Sequence, residues 1–198
     1  MQKNTILPML EENKRLFYIT YLVSCVLLIC FAGCNNEQKK VENNLKRMTT
    51  QHISLGLNEM RCRRMPISRK SSSYKIVVYI DSTECTPCSL DKLRFWNPLI
   101  KLTKKENIKI DYIFIVAPKP SEMDDINLEL SVTDLQSYIY LDTAYVFRKR
   151  NPSIPNENKY HSFLLDKNDR ICFVGNPIDN EKLMMVYKKA IGLKQQIK

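Results

Sequence analysis

The sequence predicts an α/β domain of three layers, with a mixed central sheet flanked by helices, and three observations predict it. Two short, nearly continuous apolar runs, Tyr74–Ile80 (YKIVVYI) and Ile108–Val116 (IKIDYIFIV), are of strand length and rich in β-branched residues, as expected of strands buried on both faces. The stretch after the first run, from about Pro87, carries apolar residues at three- and four-residue spacings, which is the helical period. Further on, two apolar runs separated by Lys167-Asn168-Asp169 read as a hairpin, and an amphipathic segment follows them. Strand and helix alternating in this way specify a layered sheet domain.

The elements follow in order. Lys14 and Arg15 precede an apolar run from Leu16 to Gly33 (LFYITYLVSCVLLICFAG) that ends in small residues before Cys34. A basic flank, an apolar segment of this length and a small-residue end are the parts of a secretory signal. Phe31-Ala32-Gly33-Cys34 resembles a bacterial lipoprotein processing box. That resemblance implies residues 1–33 as a signal peptide, cleavage before Cys34 and a lipid on its sulfur. The other reading is an uncleaved membrane anchor, for which eighteen residues diluted by Thr20 and Ser24 lie near the lower limit for a span. Both readings put the remainder outside the cytoplasm. Residues 34–51 are polar and mixed in charge, and read as a tether. Residues 52–198 form the domain, in which His52–Leu57 alternates weakly and is expected as an edge strand.

After the Tyr74–Ile80 strand, Leu90, Leu93, Trp96 or Asn97, and Ile100 define one apolar helix face, and Pro98 is expected to kink or end that helix. Ser121 to Leu135 reads as a surface helix, Tyr138–Leu141 as a strand and Thr143–Lys149 as a short helix. His161–Asp166 and Arg170–Val174 are the hairpin strands. Asp179–Ile191 opens on a capping Asp or Asn and carries Leu183, Val186, Tyr187, Ala190 and Ile191 at helical spacing.

Composition narrows the function classes. With 198 residues the chain holds one ordinary domain, and 44% hydrophobic residues suffice to build its core. Seven cysteines in that length are too few for a small disulfide scaffold. The net charge of +10 would permit nucleic acid as a partner. Removing the signal removes three basic and two acidic residues, so the charge falls by only one. An exported chain rarely meets nucleic acid, however, and the basic clusters Arg61-Arg63-Arg64, Arg148-Lys149-Arg150 and Lys188-Lys189 read as solvated faces.

The chemistry sits at Cys85-Thr86-Pro87-Cys88, directly after a predicted buried strand and opening a predicted helix. A cysteine at a helix N-terminus faces free backbone N–H groups, which favour its thiolate. A cysteine three residues on lies one turn away, near enough to close a small disulfide ring. Pro87 suits the first turn, where no amide donor is needed. One thiolate can attack a disulfide while the other resolves the mixed disulfide.

With this context the sequence resembles the thioredoxin superfamily, in particular its exported, membrane-tethered thiol-disulfide branch. Val77–Cys88 (VVYIDSTECTPC) carries the resemblance, together with His161–Pro177 (HSFLLDKNDRICFVGNP) and the helix that follows. It implies a thioredoxin-like three-layer fold and a thiol-disulfide oxidoreductase. Cys85 would be the exposed nucleophile, Cys88 the buried resolving cysteine, and no cofactor would be needed beyond the redox-active disulfide. The implied setting is the bacterial cell envelope, with a lipid-anchored monomer facing the periplasm or exterior. Its implied partners are envelope protein thiols and disulfides and a membrane-linked electron donor.

Departures from the family pattern matter as well. Glu84 stands where many members carry Trp. Tyr79 stands where a proton-shuttling carboxylate often lies, leaving Asp81 and Glu84 as the nearby acids that could shuttle a proton. The position facing the disulfide, where the family places a cis-proline, falls on His161 or Ser162. The peroxidatic pattern of Pro and Thr preceding the cysteine is missing. A histidine beside this pair gives a soft set, Cys85, Cys88 and His161, suited to Cu(I) or Zn, so a metal-delivering member of the same superfamily is the alternative. A non-catalytic accessory domain with a structural disulfide is a third reading. Cys172 is expected to be a buried small hydrophobe, and Cys62 to be free, paired with Cys172, or reactive beside its arginines.

Overall fold

The computed structural model describes residues 6–64, 72–83 and 86–193. Side chains are described within those ranges except at 6–14, 25–35 and 64. The chain divides into two units, Met1–Asn44 and Leu45–Lys198. The first is helical, part of α1 (Ile6–Thr49), whose last turn belongs to the second unit. Among the described residues no helix is long and apolar enough to cross a membrane. Residues 36–49, read from sequence as part of a tether, are helical, and Leu45 and Met48 pack into the core of the second unit.

The second unit contains a six-stranded sheet in the order β1-β4-β3-β2-β5-β6. Its strands are β1 (Arg61–Arg64), β2 (Tyr74–Ile80), β3 (Ile110–Val116), β4 (Tyr138–Leu141), β5 (Ser162–Asp166) and β6 (Ile171–Val174). β2, β3 and β4 run parallel, with Val78 opposite Phe114 and Ile115 opposite Tyr140. β5 lies antiparallel on the other side of β2, β6 antiparallel on β5, and β1 antiparallel on β4.

Alternation along the strands assigns their side chains to two cores. Ile76, Val78, Ile80, Phe114 and Val116 pack under the helices α2 (Thr86–Lys92), α3 (Asn97–Lys105), α4 (Met123–Val132) and α6 (Glu181–Ala190). Val77, Tyr79, Ile113 and Ile115 face the opposite way, against Phe147 of α5 (Val146–Arg150), Ile154, Tyr160, Met48 and Ile53. The mixed sheet covered on both faces is the layered architecture read from the sequence, and β2 and β3 are buried on both faces as their composition requires.

Three local expectations are corrected. Pro98 does not end a helix; it opens one. A 3₁₀ turn over Leu93–Trp96 breaks the first helix, and α3 begins at Asn97 with Pro98 in its first turn, where its missing N–H costs nothing. His52–Leu57 forms no strand. It contributes a single bridge, His52 to Arg170, and one amide bond from Ile53 to the Asp169 carbonyl, while the edge strand is Arg61–Arg64. Cys172 is exposed rather than buried, because the sheet ends at β6 and its outer residues are only partly covered.

Candidate active site

β2, β3 and β4 all end at the same edge of the sheet, where Ala117 N–H donates to the Ile80 carbonyl (2.9 Å) and Asp142 N–H to that of Val116 (2.8 Å). The carboxyl ends of parallel strands leave a crevice in which catalytic groups collect. In sequence, the CTPC segment starts five positions past Ile80, the last residue of β2. Glu84 and Cys85 lie outside the described residues, as does the side chain of Cys34. Thr86, next after Cys85, is the first residue of α2.

α2 is oriented by its apolar side. Thr86, Leu90 and Leu93, spaced four and three residues apart, are all buried. Cys88 is two residues from Thr86, about 200° around the helix, and is exposed. This corrects the expectation of a buried Cys88: the helix face that enters the core belongs to Thr86. Cys88 is disulfide-bonded, and the sulfur it joins is not among the described residues.

The Thr86 hydroxyl, fully enclosed, donates to Glu122 Oε2 at 2.9 Å. Glu122 ends a 3₁₀ turn, Pro120–Glu122, just ahead of α4. The same oxygen accepts the Lys119 amide at 3.2 Å, and Lys119 Nζ lies 3.8 Å from Oε1. Sequence reasoning missed Glu122. The only local signal for it was an acid shortly after Pro120, which reads as helix capping.

Below the site lies a polar cluster. Asp81, buried at the end of β2, accepts the Thr83 amide at 3.0 Å through Oδ1 and faces Arg148 Nη2 at 3.4 Å through Oδ2. Burial pushes the Asp81 carboxyl up, but the Thr83 amide and the Arg148 guanidinium outweigh it and hold the group below the usual carboxylate range. Asp81 is therefore an anchored anion at neutral pH. Arg148 also donates to the Ile154 carbonyl at 2.7 Å and covers the ring of Tyr79, 5.8 Å from its centroid. The Tyr79 phenol is pushed up by burial and by the Asp81 charge, so the residue standing at the usual carboxylate position remains neutral.

His161 and Ser162, read as the position facing the disulfide, sit beside β2. Tyr79 N–H donates to the His161 carbonyl (2.8 Å), and Ser162 pairs with Val78. Both are buried, and no cis peptide occurs among the described residues. His161 Nε2 is 3.0 Å from the Pro155 carbonyl, an acceptor, which fixes the proton on that nitrogen. The ring meets Tyr79 edge-on at 5.3 Å. No cluster of three metal-ligating side chains occurs among the described residues.

Next to α2 a cavity of about 690 Å³ opens between Trp96, Ser89 and Lys92 on one side and Ser162, Asn176 and Leu183 on the other. Cys62 on β1 and Cys172 on β6 lie at opposite edges of the six-stranded sheet, so they do not pair with each other. Burial and the Asp166 charge push the Cys172 thiol up.

No family model matches the chain, and no curated protein does. Among solved structures it is similar to a putative thiol:disulfide interchange protein DsbE from Chlorobium tepidum, at 17% identity over 62% of this chain and 82% of that one (TM-score 0.45). It is similar also to a putative protein disulfide isomerase from Bacteroides thetaiotaomicron, at 17% identity over 61% of this chain and 73% of that one (TM-score 0.44). A third is the bacterioferritin comigratory protein of Xanthomonas campestris, at 10% identity over 63% of this chain and 83% of that one (TM-score 0.39). A mixed sheet in which β2 lies between parallel β3 and antiparallel β5, with Thr86-Pro87-Cys88 opening the helix that follows β2 and a hairpin running into α6, is a thioredoxin-like fold.

Proposed function

We propose that the chain is a thiol-disulfide oxidoreductase whose redox pair is Cys85 and Cys88. The observation that carries this reading is the state of Cys88: disulfide-bonded and exposed, one turn into a helix that leads away from the end of a buried parallel strand. Cys85 is the cysteine nearest to it in sequence, three residues before it. In the reducing direction, the Cys85 thiolate attacks a substrate disulfide, forming a mixed disulfide and releasing one substrate thiolate. The Cys88 thiolate then attacks the Cys85 sulfur, releasing the second substrate thiolate and closing the Cys85–Cys88 disulfide. Two electrons pass to the substrate, its two thiolates take up protons from solvent, and an external dithiol donor restores the pair.

Export by the N-terminal segment and lipid attachment at Cys34 would tether this activity in the bacterial envelope. Envelope protein thiols would be the substrates, a membrane-linked dithiol the donor, and the chain would work as a monomer without nucleic acid. The anchored anion at Asp81 suits an electrostatic role better than proton carriage, which leaves Glu84 as the other acid proposed for that task. No resident metal is proposed. The Cu(I) alternative, with Cys85, Cys88 and His161 as ligands, would use Nδ1 of His161, since Nε2 donates to the Pro155 carbonyl.

Incubating the full chain with glutathione redox buffers tests the reading. Trapped thiols, mapped by mass spectrometry, should titrate at Cys85 and Cys88 together as a two-electron couple. Cys88→Ser should accumulate a mixed disulfide at Cys85, and Cys85→Ser should form none with substrate. A Cys88 disulfide that never exchanges would leave only a structural bridge.

A further inference from the structure

A buried hydroxyl without an acceptor is costly, and Thr86, which stands between the two cysteines of the motif in sequence, finds a carboxylate. Hydroxyls in such places are commonly satisfied by a neutral backbone carbonyl. Here the partner is Glu122 Oε2 at 2.9 Å, 36 residues further along the chain. The carboxylate does not swing freely, because that same oxygen accepts the Lys119 amide. It is also only partly compensated: the Lys119 ammonium, itself half-exposed, stands 3.8 Å from the other oxygen. A fixed negative charge is thus bonded to the residue that directly follows Cys85 and stands two before Cys88.

We propose that Glu122 is a positioning residue that makes the CTPC pair more reducing, acting through Thr86; this rests on the redox reading above. The physical reason is a difference in charge between the two redox states. The disulfide is neutral, whereas the reduced pair carries the thiolate that does the attacking. A nearby anion raises the free energy of the thiolate and leaves the disulfide untouched. The dithiol then gives up its two electrons more readily, the opposite of the case in which a stabilised reduced form makes a strong oxidant. Glu122 therefore favours donation of electrons to substrates over oxidation of them. The same bond holds the N-terminal turn of α2 to the turn ahead of α4, fixing the orientation in which Thr86 faces inward and Cys88 outward.

The test is the equilibrium of the full chain with glutathione at low ionic strength, in wild type, Glu122→Gln and Thr86→Val. Glutamine keeps an acceptor for the Thr86 hydroxyl but removes the charge. The constant for forming the dithiol should rise about fivefold in Glu122→Gln, which at 29.6 mV per tenfold is a shift of about 20 mV toward oxidising. Thr86→Val keeps the protein's net charge but cuts the link, and should move the constant the same way by about twofold. A purely structural role for Glu122 would lower thermal stability in both variants without moving the equilibrium. An unchanged constant in both, with the wild type exchanging normally, overturns the role of Glu122 alone. A wild type that does not exchange with glutathione at all overturns the redox reading and this proposal with it.

Discussion

Arg148 reaches back across 67 residues of chain to Asp81, its Nη2 lying 3.4 Å from Oδ2, while its Nη1 donates to the Ile154 carbonyl at 2.7 Å. One guanidinium thereby joins α5, the loop after it and the end of β2, the strand that delivers the CTPC segment. Replacing it with Met leaves a buried carboxylate short of its counter-charge and frees a carbonyl. Arg148→Met should cost about 2–4 kcal/mol, read as a lower urea midpoint with an unchanged denaturant slope.

Asp81 also sets an acid limb of stability. Its carboxyl is depressed in the folded state, so its contribution is fully present above the unfolded value near about 4 and is lost as pH falls through the folded one. The stability difference between wild type and Asp81→Asn should therefore be constant at neutral pH and shrink below about pH 4. Urea titrations of both proteins across that range measure it, and a difference that grows on acidification would contradict the assignment.

Cys62 and Cys172 should respond separately. Cys62 and Cys172 lie at opposite edges of the sheet. Alkylating the unreduced protein should modify both, and no Cys62–Cys172 peptide should appear in a non-reducing digest. Cys172 should react slowly for an exposed cysteine, because its raised thiol leaves little thiolate at neutral pH. Peptide mapping over residues 45–198 reads both results.

Gly56 has a left-handed backbone (φ 61°), and a Cβ there would stand 2.8 Å from Val146 Cγ1. Strain and overlap add, so Gly56→Ala should destabilise the domain by about 1–3 kcal/mol. The expected sign is a fall in melting temperature, with the glutathione equilibrium unmoved.

Much of the fold was legible because its signals are local. Tyr74–Ile80 and Ile110–Val116 declare themselves by apolar β-branched residues, and Tyr138–Leu141 matches its strand to the residue. Asn180 caps α6 with its side chain on the Leu183 amide, as the start of that segment suggested. Pro98 misled because one residue type either ends a helix or begins the next, and only the 3₁₀ turn before it decides which. The exposure of Cys88 was hidden for a similar reason. A CxxC spacing fixes where the second sulfur lies along the helix but not which side of the helix meets the core; Thr86 and Leu90 decide that.

By itself the sequence determined the apolar strand that precedes Cys85-Thr86-Pro87-Cys88 and the strand that begins at Ser162. Only the tertiary structure decided what surrounds that motif. Glu122 on Thr86 and Arg148 on Asp81 are contacts between residues 36 and 67 positions apart, and nothing periodic encodes them. Side-chain spacing along one element is governed by backbone geometry and can be read directly. Which charges meet across elements depends on how the parallel strands align and how each helix is rotated onto them, and that is settled by packing.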